Sequence, residues 1–254
     1  MTKTALLFST ALLGLTFSTP AAVLATQPAN VVQPAEAETD RINKWFDEKY
    51  EEELKFSPIE QTYIGRKTDY GLIDDFSDAG ADRQLAWLRN AVAEMKSRFD
   101  YAKLSPEAKT SYDIWSYNLK QAEAGLPFRT NRYVLHQHNG LQSFFPTFLI
   151  NTHKVETEAD MLGFIQRLSG VATALDQLLV RAQTNAAAGT RAPRFAYEGV
   201  IDQSTKIISG APFDDGEPSA IWTATEEKLQ GLVDSGAIDE ARAATLREQA
   251  RAAL

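Results

Sequence analysis

The sequence has 254 residues, of which 44% are apolar and 24% are charged, a composition typical of a globular protein with enough apolar side chains for a core. Aspartate and glutamate (34) outnumber lysine and arginine (26), and the net charge of −8 argues against nucleic acid or an anionic membrane as a partner, because both require a basic surface. Cysteine is absent, which excludes disulfide bonds and a thiol nucleophile.

The first 25 residues have the pattern of a secretory signal peptide. Lys3 gives a positive start, residues 5–17 form an apolar run, and cleavage is predicted just after Ala25. The run is too short to favour a retained membrane anchor. We therefore predict a periplasmic or secreted bacterial protein without a membrane anchor after cleavage. A flexible leader is predicted at 26–37, where two prolines occur without an apolar repeat.

Apolar residues recur at helical spacing through most of the remaining sequence. This pattern predicts an all-α fold, an antiparallel helical bundle or array that occupies residues 38–254. Helix starts and stops divide it into predicted helices at 39–57, 58–65, 82–101, 106–125, 157–188, 195–209, 218–235 and 238–254.

Polar residues mark the starts of several predicted helices. Ser57 and Ser105 each precede a proline, and Glu60 follows Ser57 at the spacing of a capping box. Thr157 and Asp160 have a similar arrangement at the start of the longest helix. These signals predict where the helices begin.

An aspartate-rich segment at 67–80 is predicted to be a loop. A calcium site would require the D-x-D-x-D-G spacing, which is missing here. A solvated acidic loop, in which Ser77 caps the following helix, is the preferred interpretation.

The stretch 127–155 is the long interruption of the helical pattern, and it contains all three histidines. We predict an irregular loop or a short strand here. On a strand, His136 and His138 would point to one side, as metal-binding imidazoles do, with His153 or Glu156 as a third ligand. No acidic residue lies nearby in sequence to orient the two rings, so hydrogen-bonded loop histidines are preferred over a metal site.

The same stretch supplies candidates for a substrate cleft. They are polar or aromatic side chains that could contact a ligand: His136, His138, Asn139, Phe144 and Phe145. The two phenylalanines could instead pack in the core, which is the default for aromatic residues.

No complete catalytic motif occurs in the sequence. The H-E-x-x-H zinc helix, the G-x-S-x-G elbow, the phosphate-binding P-loop and the G-x-G-x-x-G turn are all missing. We therefore assign no catalytic, cofactor-binding or metal-binding residue. The last predicted helix has an apolar side and no terminating glycine, proline or polar tail, a pattern that favours a chain continuing beyond Leu254.

Several short motifs occur in a characteristic order. Residues 57–65 read S-P-I-E-Q-T-Y-I-G, and the aspartate-rich loop follows them. Q-H-N-G at 137–140, Arg167-Leu168, and G-T-R-A-P-R at 189–194 come next. In this order the chain resembles the N-terminal half of the bacterial exported domain-of-unknown-function 885 family, over most of residues 39–254.

The resemblance implies a function that the residues alone do not give. Members of that family are longer and largely helical, and their C-terminal half carries a zincin-like helix with an H-E-(x)-P-G-H type sequence. This implies a zinc-dependent peptidase-like hydrolase with a peptide-like small substrate. The present chain would form the substrate cleft, and the missing C-terminal half of the same protein would be its partner.

Zinc is thereby implied only for the full-length family member, and we expect none to be bound by this chain alone. The alternative is a non-catalytic, all-helical periplasmic binding or scaffold protein. Metal storage by the three histidines is a third hypothesis.

Overall fold

A computed structural model describes residues 34–254 of the protein. Within that range the chain forms nine α-helices, two 3-10 turns and no strand, so the prediction of an all-α fold is confirmed. The helices are α1 (Pro34–Leu54), α2 (Pro58–Tyr63), α3 (Asp78–Arg98), α4 (Pro106–Gly125), α5 (Leu141–Asn151), α6 (Glu158–Ala187), α7 (Arg194–Ile207), α8 (Ala220–Asp234) and α9 (Glu240–Ala253).

The predicted signal peptide at 1–25 lies outside the described residues. The predicted leader at 26–37 is also largely outside them, but α1 begins at Pro34, within its last residues. None of the helices in the described range combines the length and the apolar character needed to cross a bilayer.

The start of α6 is the clearest case of a cap that could be predicted. The hydroxyl of Thr157 accepts a hydrogen bond from the Asp160 amide, and the Asp160 carboxylate accepts one from the Thr157 amide, which completes a capping box. Ser77 and Ser105 likewise accept from backbone amides and cap α3 and α4. The predicted caps at Ser77, Ser105 and Thr157 are therefore confirmed.

The predicted capping box of α2 is wrong. The helix begins at Pro58 as expected, but the Ser57 side chain makes no capping hydrogen bond. Asp74 of the aspartate-rich loop takes this place, because its Oδ1 accepts from the Ile59 amide at 3.0 Å. The loop is therefore not simply solvated: Asp74 is half-buried, and burial raises the pKa of its carboxyl.

The predicted interruption at 127–155 is shorter than expected, because α5 lies inside it. Residues 132–135 form bends and not a strand. Pro146 is internal to α5 and removes one backbone donor, which is why the pattern did not predict a helix. Burial of Phe145 and Phe148, which are 0% and 1% exposed, stabilises the helix in spite of the proline.

The helices enclose two hydrophobic cores. The first core joins α1, α3 and α4 and is centred on Trp45, whose ring lies 5.3 Å from that of Trp115 and 5.9 Å from that of Phe99. The second core joins α5, α6, α8 and α9, with Ile59 of α2 added. Its fully buried members include Phe145, Phe148, Met161, Phe164, Leu229 and Leu246.

Candidate functional site

Three adjoining cavities form a row on the protein, which we call the groove. The first, of about 310 Å³, lies between α1, α3 and α4. The second, of about 490 Å³, lies between α3, α4 and Arg181 of α6, and it shares Ala81, Leu85 and Ala122 with the first. The third, of about 530 Å³, lies between the 132–138 loop and the start of α7, and Arg132 lines both it and the second. Cavities of this size are of the order that small ligands occupy.

Two of the five predicted cleft residues lie on the groove. His136 and His138 line the third cavity, together with Tyr133 and Phe195. Neither imidazole forms a hydrogen bond with another residue of the described chain; His138 is exposed and His136 is half-buried.

The other three predicted cleft residues do not line the groove. Asn139 is exposed at the loop tip and is not among the lining residues. Phe145 is fully buried in the second core, and Phe144 packs against that core from α5. For the two phenylalanines, the structure favours the core over the cleft.

Side-chain amides from three helices hold the loop that carries these histidines. Gln142 of α5 donates to the carbonyl of His136 at 2.8 Å, and Gln203 of α7 donates to the carbonyl of Gln137 at 2.7 Å. Asn185 of α6 donates to the carbonyl of Arg132 at 2.8 Å. The loop is therefore fixed through its backbone, which leaves its side chains free to line the groove.

Replacing Gly199 with alanine should destabilise the protein by about 1–3 kcal/mol, because α7 and the loop are in close contact there. A Cβ at Gly199 would lie 2.6 Å from the Cβ of Gln137, which is not a flexible end that can move aside. Urea denaturation measures the change. Gly231→Ala in α8 is the matched control: its added Cβ meets nothing within 4 Å, so helix propensity should raise stability by up to about 1 kcal/mol. Equal effects of the two substitutions would contradict the close contact.

The three histidines do not form a metal site. His153 is 1% exposed, in the second core, and does not line the groove with His136 and His138. Glu156, the alternative third ligand, forms an ion pair with Lys67. Within residues 34–254, no three side chains of histidine, aspartate, glutamate or cysteine are grouped closely enough to hold a metal ion.

His153 belongs instead to a buried polar cluster that the sequence did not predict. Its centre is Arg167 of α6, which is 0% exposed, and we call the group the Arg167 cluster. Arg167 donates to the carbonyls of Leu72 (2.8 Å) and Pro58 (3.0 Å) and to the hydroxyl of Thr62 (2.8 Å). It also donates to Nδ1 of His153 at 2.9 Å.

Aromatic rings enclose the Arg167 cluster. The Tyr70 ring stacks on His153 with 4.1 Å between centroids, and the Arg167 guanidinium lies 5.1 Å from the Tyr70 ring and 5.0 Å from the Phe148 ring. The Tyr70 hydroxyl bonds both the amide and the carbonyl of Lys154, at 2.9 and 3.0 Å. The cluster thus ties α2, the aspartate-rich loop and the end of α5 to α6.

The surroundings of His153 keep its ring neutral. Burial lowers the pKa of His153 to about 4, and the nearby positive charge of Arg167 acts in the same direction. Because a guanidinium only donates, Nδ1 of His153 must accept, and Nε2–H donates to the Asp160 carbonyl at 3.1 Å. Burial also lowers the pKa of Arg167, to about 10, so it still carries its charge at neutral pH.

One sequence signal could have revealed the Arg167 cluster. Arg167 lies three residues after Phe164 and one before Leu168, so it falls on the apolar side of α6. A charged residue in that position is buried only when it is fully paired, which predicts a polar cluster but not its partners.

Comparison with known proteins identifies one family. Residues 58–254 match the family described as "Bacterial protein of unknown function (DUF885)". No curated protein and no solved structure matches the chain. The matched range begins at the first residue of α2 and includes the Arg167 cluster and the groove loop. Helix α1 precedes this range, although it contributes Ile42 and Trp45 to the first core. The match spans most of the sequence, so the chain belongs to the DUF885 family of bacterial proteins.

Proposed function

We propose that this chain is the substrate-cleft half of an exported zinc-dependent, peptidase-like hydrolase, whose metal site lies in a C-terminal half of the same protein. The groove is the observation that carries the proposal. It offers a row of adjoining cavities with both aromatic and guanidinium side chains, the combination that suits an extended peptide. Export rests on the signal-peptide pattern of the first 25 residues.

The described residues would bind and orient the substrate and would not perform the chemistry. Trp87 and Phe56 supply aromatic surface in the first cavity, and His136 and His138 supply polar contacts in the third. The hydrogen bonds that hold the groove loop fix that wall in advance, which reduces the entropy lost on binding.

Expression of the complete reading frame, with measurement of zinc content and peptide hydrolysis, tests the proposal. We expect stoichiometric zinc, cleavage that a chelator abolishes, and a loss of cleavage when Trp87 and Phe195, at the two ends of the groove, are replaced by alanine. Tyr117→Ala, an exposed aromatic outside the groove, is the matched control. A protein that holds no metal and cleaves no peptide would contradict the hydrolase.

The second candidate function is a non-catalytic, all-helical periplasmic binding or scaffold protein. The lack of a catalytic constellation among the described residues does not separate it from the hydrolase, because both functions predict it for this part of the chain. The same experiment separates the two functions, because a binding protein would retain peptides in a groove-dependent way without cleaving them.

A further inference from the structure

The second cavity of the groove is rich in arginine, although the protein as a whole is acidic. Three of its lining residues are arginines, namely Arg129, Arg132 and Arg181, and no acidic residue lines it. The whole chain carries a net charge of −8, which on average repels anions. A cavity that concentrates guanidinium groups is therefore the place where an anion can be attracted.

The three arginines differ in their existing partners. Arg129 forms an ion pair with Asp82, and Arg181 pairs with Asp78 at 2.9 Å and donates to the Phe76 carbonyl at 3.2 Å. Arg132 forms no ion pair with any residue in the described range. Aspartates thus hold the guanidinium groups of Arg129 and Arg181 in place. The N–H donors of the Arg132 guanidinium have no carboxylate partner in the described range.

The position of Arg132 is fixed although its side chain is exposed. Its backbone carbonyl accepts from Asn185, which is buried on α6. Arg132 also lines the third cavity, so its side chain stands where the second and third cavities meet. A guanidinium group with unpaired N–H donors, on a residue whose backbone is hydrogen-bonded, suits bidentate binding of a carboxylate.

Apart from Gln121, the remaining walls of the second cavity are apolar. Leu85, Leu126 and Phe128 contribute to them, and Phe128 is 61% exposed, so its ring is open to contact. A ligand that matches both features carries an anionic group next to an apolar side chain. The last residue of a peptide has this chemistry, because its α-carboxylate is attached to the carbon that bears its side chain.

We propose that the second cavity binds the C-terminal carboxylate of a peptide, with Arg132 as the main contact and with the apolar side chain of the last residue against Leu126 and Phe128. This inference rests on the proposed function and makes it more specific. The peptide would enter with its free C-terminus at the second cavity and extend along the groove.

Isothermal titration calorimetry with two peptides tests the inference on the chain itself. Both are acetylated hexapeptides ending in leucine, one with a free carboxylate and the other with a C-terminal amide. The free acid should bind about tenfold more tightly, and Arg132→Ala should remove that difference. Arg132→Lys should keep only part of it, because an ammonium group supplies charge without the two-pronged geometry. Arg132→Ala leaves the backbone hydrogen bond to Asn185 possible, so the variant should fold.

Arg247→Ala is the matched control, since Arg247 is on α9, pairs with Glu226 and does not line the groove. A loss equal to that of Arg132→Ala would show a general charge effect and overturn the inference. Equal binding of acid and amide would also overturn it while leaving the peptide groove intact. Binding of neither peptide would overturn both the inference and the proposed function. Competition by inorganic phosphate at a concentration near the peptide Kd would identify a general oxyanion site, and the carboxylate assignment would then be wrong.

Discussion

Replacing Arg167 with methionine should lower the free energy of unfolding by about 4 kcal/mol or more. The substitution removes the donors that reach the Leu72 carbonyl and Nδ1 of His153, and each acceptor left unpaired in the interior costs about 1–3 kcal/mol. The shorter, apolar side chain also leaves a polar-lined space between the Tyr70 and Phe148 rings. The variant no longer buries the positive charge of Arg167, and this gain offsets part of the lost stability. Urea denaturation at neutral pH, followed by tryptophan fluorescence, measures the change.

Two further variants separate the hydrogen bonds from the charge. Arg167→Lys keeps the charge, but an ammonium group cannot reach all the acceptors that the guanidinium spans, so most of the loss should remain. Arg247→Met removes a partly exposed ion pair with Glu226 and should change stability by about 1 kcal/mol or less. If Arg167→Met were as mild as Arg247→Met, the Arg167 cluster would not be what holds α2 and the aspartate-rich loop to α6.

Lowering the pH from 7 to 4 should reduce stability by about 3 kcal/mol through His153 alone. Burial holds the pKa of His153 at about 4 in the folded protein, whereas an ordinary histidine titrates near 6.5. Between these two values the unfolded chain binds a proton that the folded chain does not. The stabilising contribution is therefore complete above pH 6.5 and is lost as the pH falls towards 4. Urea midpoints measured across this range give the slope.

Two buried carboxyl groups, those of Asp74 and Asp160, also affect how stability depends on pH. Burial raises the pKa of Asp74, so Asp74 favours folding as the pH falls and offsets part of the loss. Burial would also raise the pKa of Asp160, but hydrogen bonds from Lys67 and the Glu156 amide lower it overall, and its contribution is lost only at more acidic pH.

Substitution of His153 tests whether this residue causes the dependence of stability on pH. His153→Gln should flatten the profile between pH 6.5 and 4, at the expense of stability at pH 7. His138→Gln, which removes an exposed histidine from the groove loop, is the matched control variant. A profile that stays steep in His153→Gln would exclude His153 as the cause.

Most of the helices could be predicted from the sequence because their signals are local. Thr157 with Asp160, and Ser105 with Pro106, mark helix starts through contacts within one turn. The start of α2 was located but its cap was not, since the capping carboxylate of Asp74 comes from a loop 15 positions away.

The candidate site depended on contacts that no local pattern reports. Arg167 and Pro58 are 109 positions apart, and their hydrogen bond follows from tertiary packing alone. His136 and His138 could be found because they are close together in sequence, and both line the groove. Arg181 could not, because only the packing of α6 brings it to the same cavity as Arg132.

The two hydrophobic cores also differ in how early during protein synthesis they can form. The first core takes its residues from positions 42–119, a continuous segment that leaves the ribosome before most of the second core exists. The second core needs Ile59 from that early segment and then residues from Phe145 to Ala250. During synthesis, α1, α3 and α4 can therefore pack first. The hydrogen bonds between α2 and Arg167 can form only after α6 has been synthesised. The segment from Pro58 to Phe76 is then the joint between an early-folding and a late-folding half, and it is where a protease should cut a chain whose synthesis stops before α6.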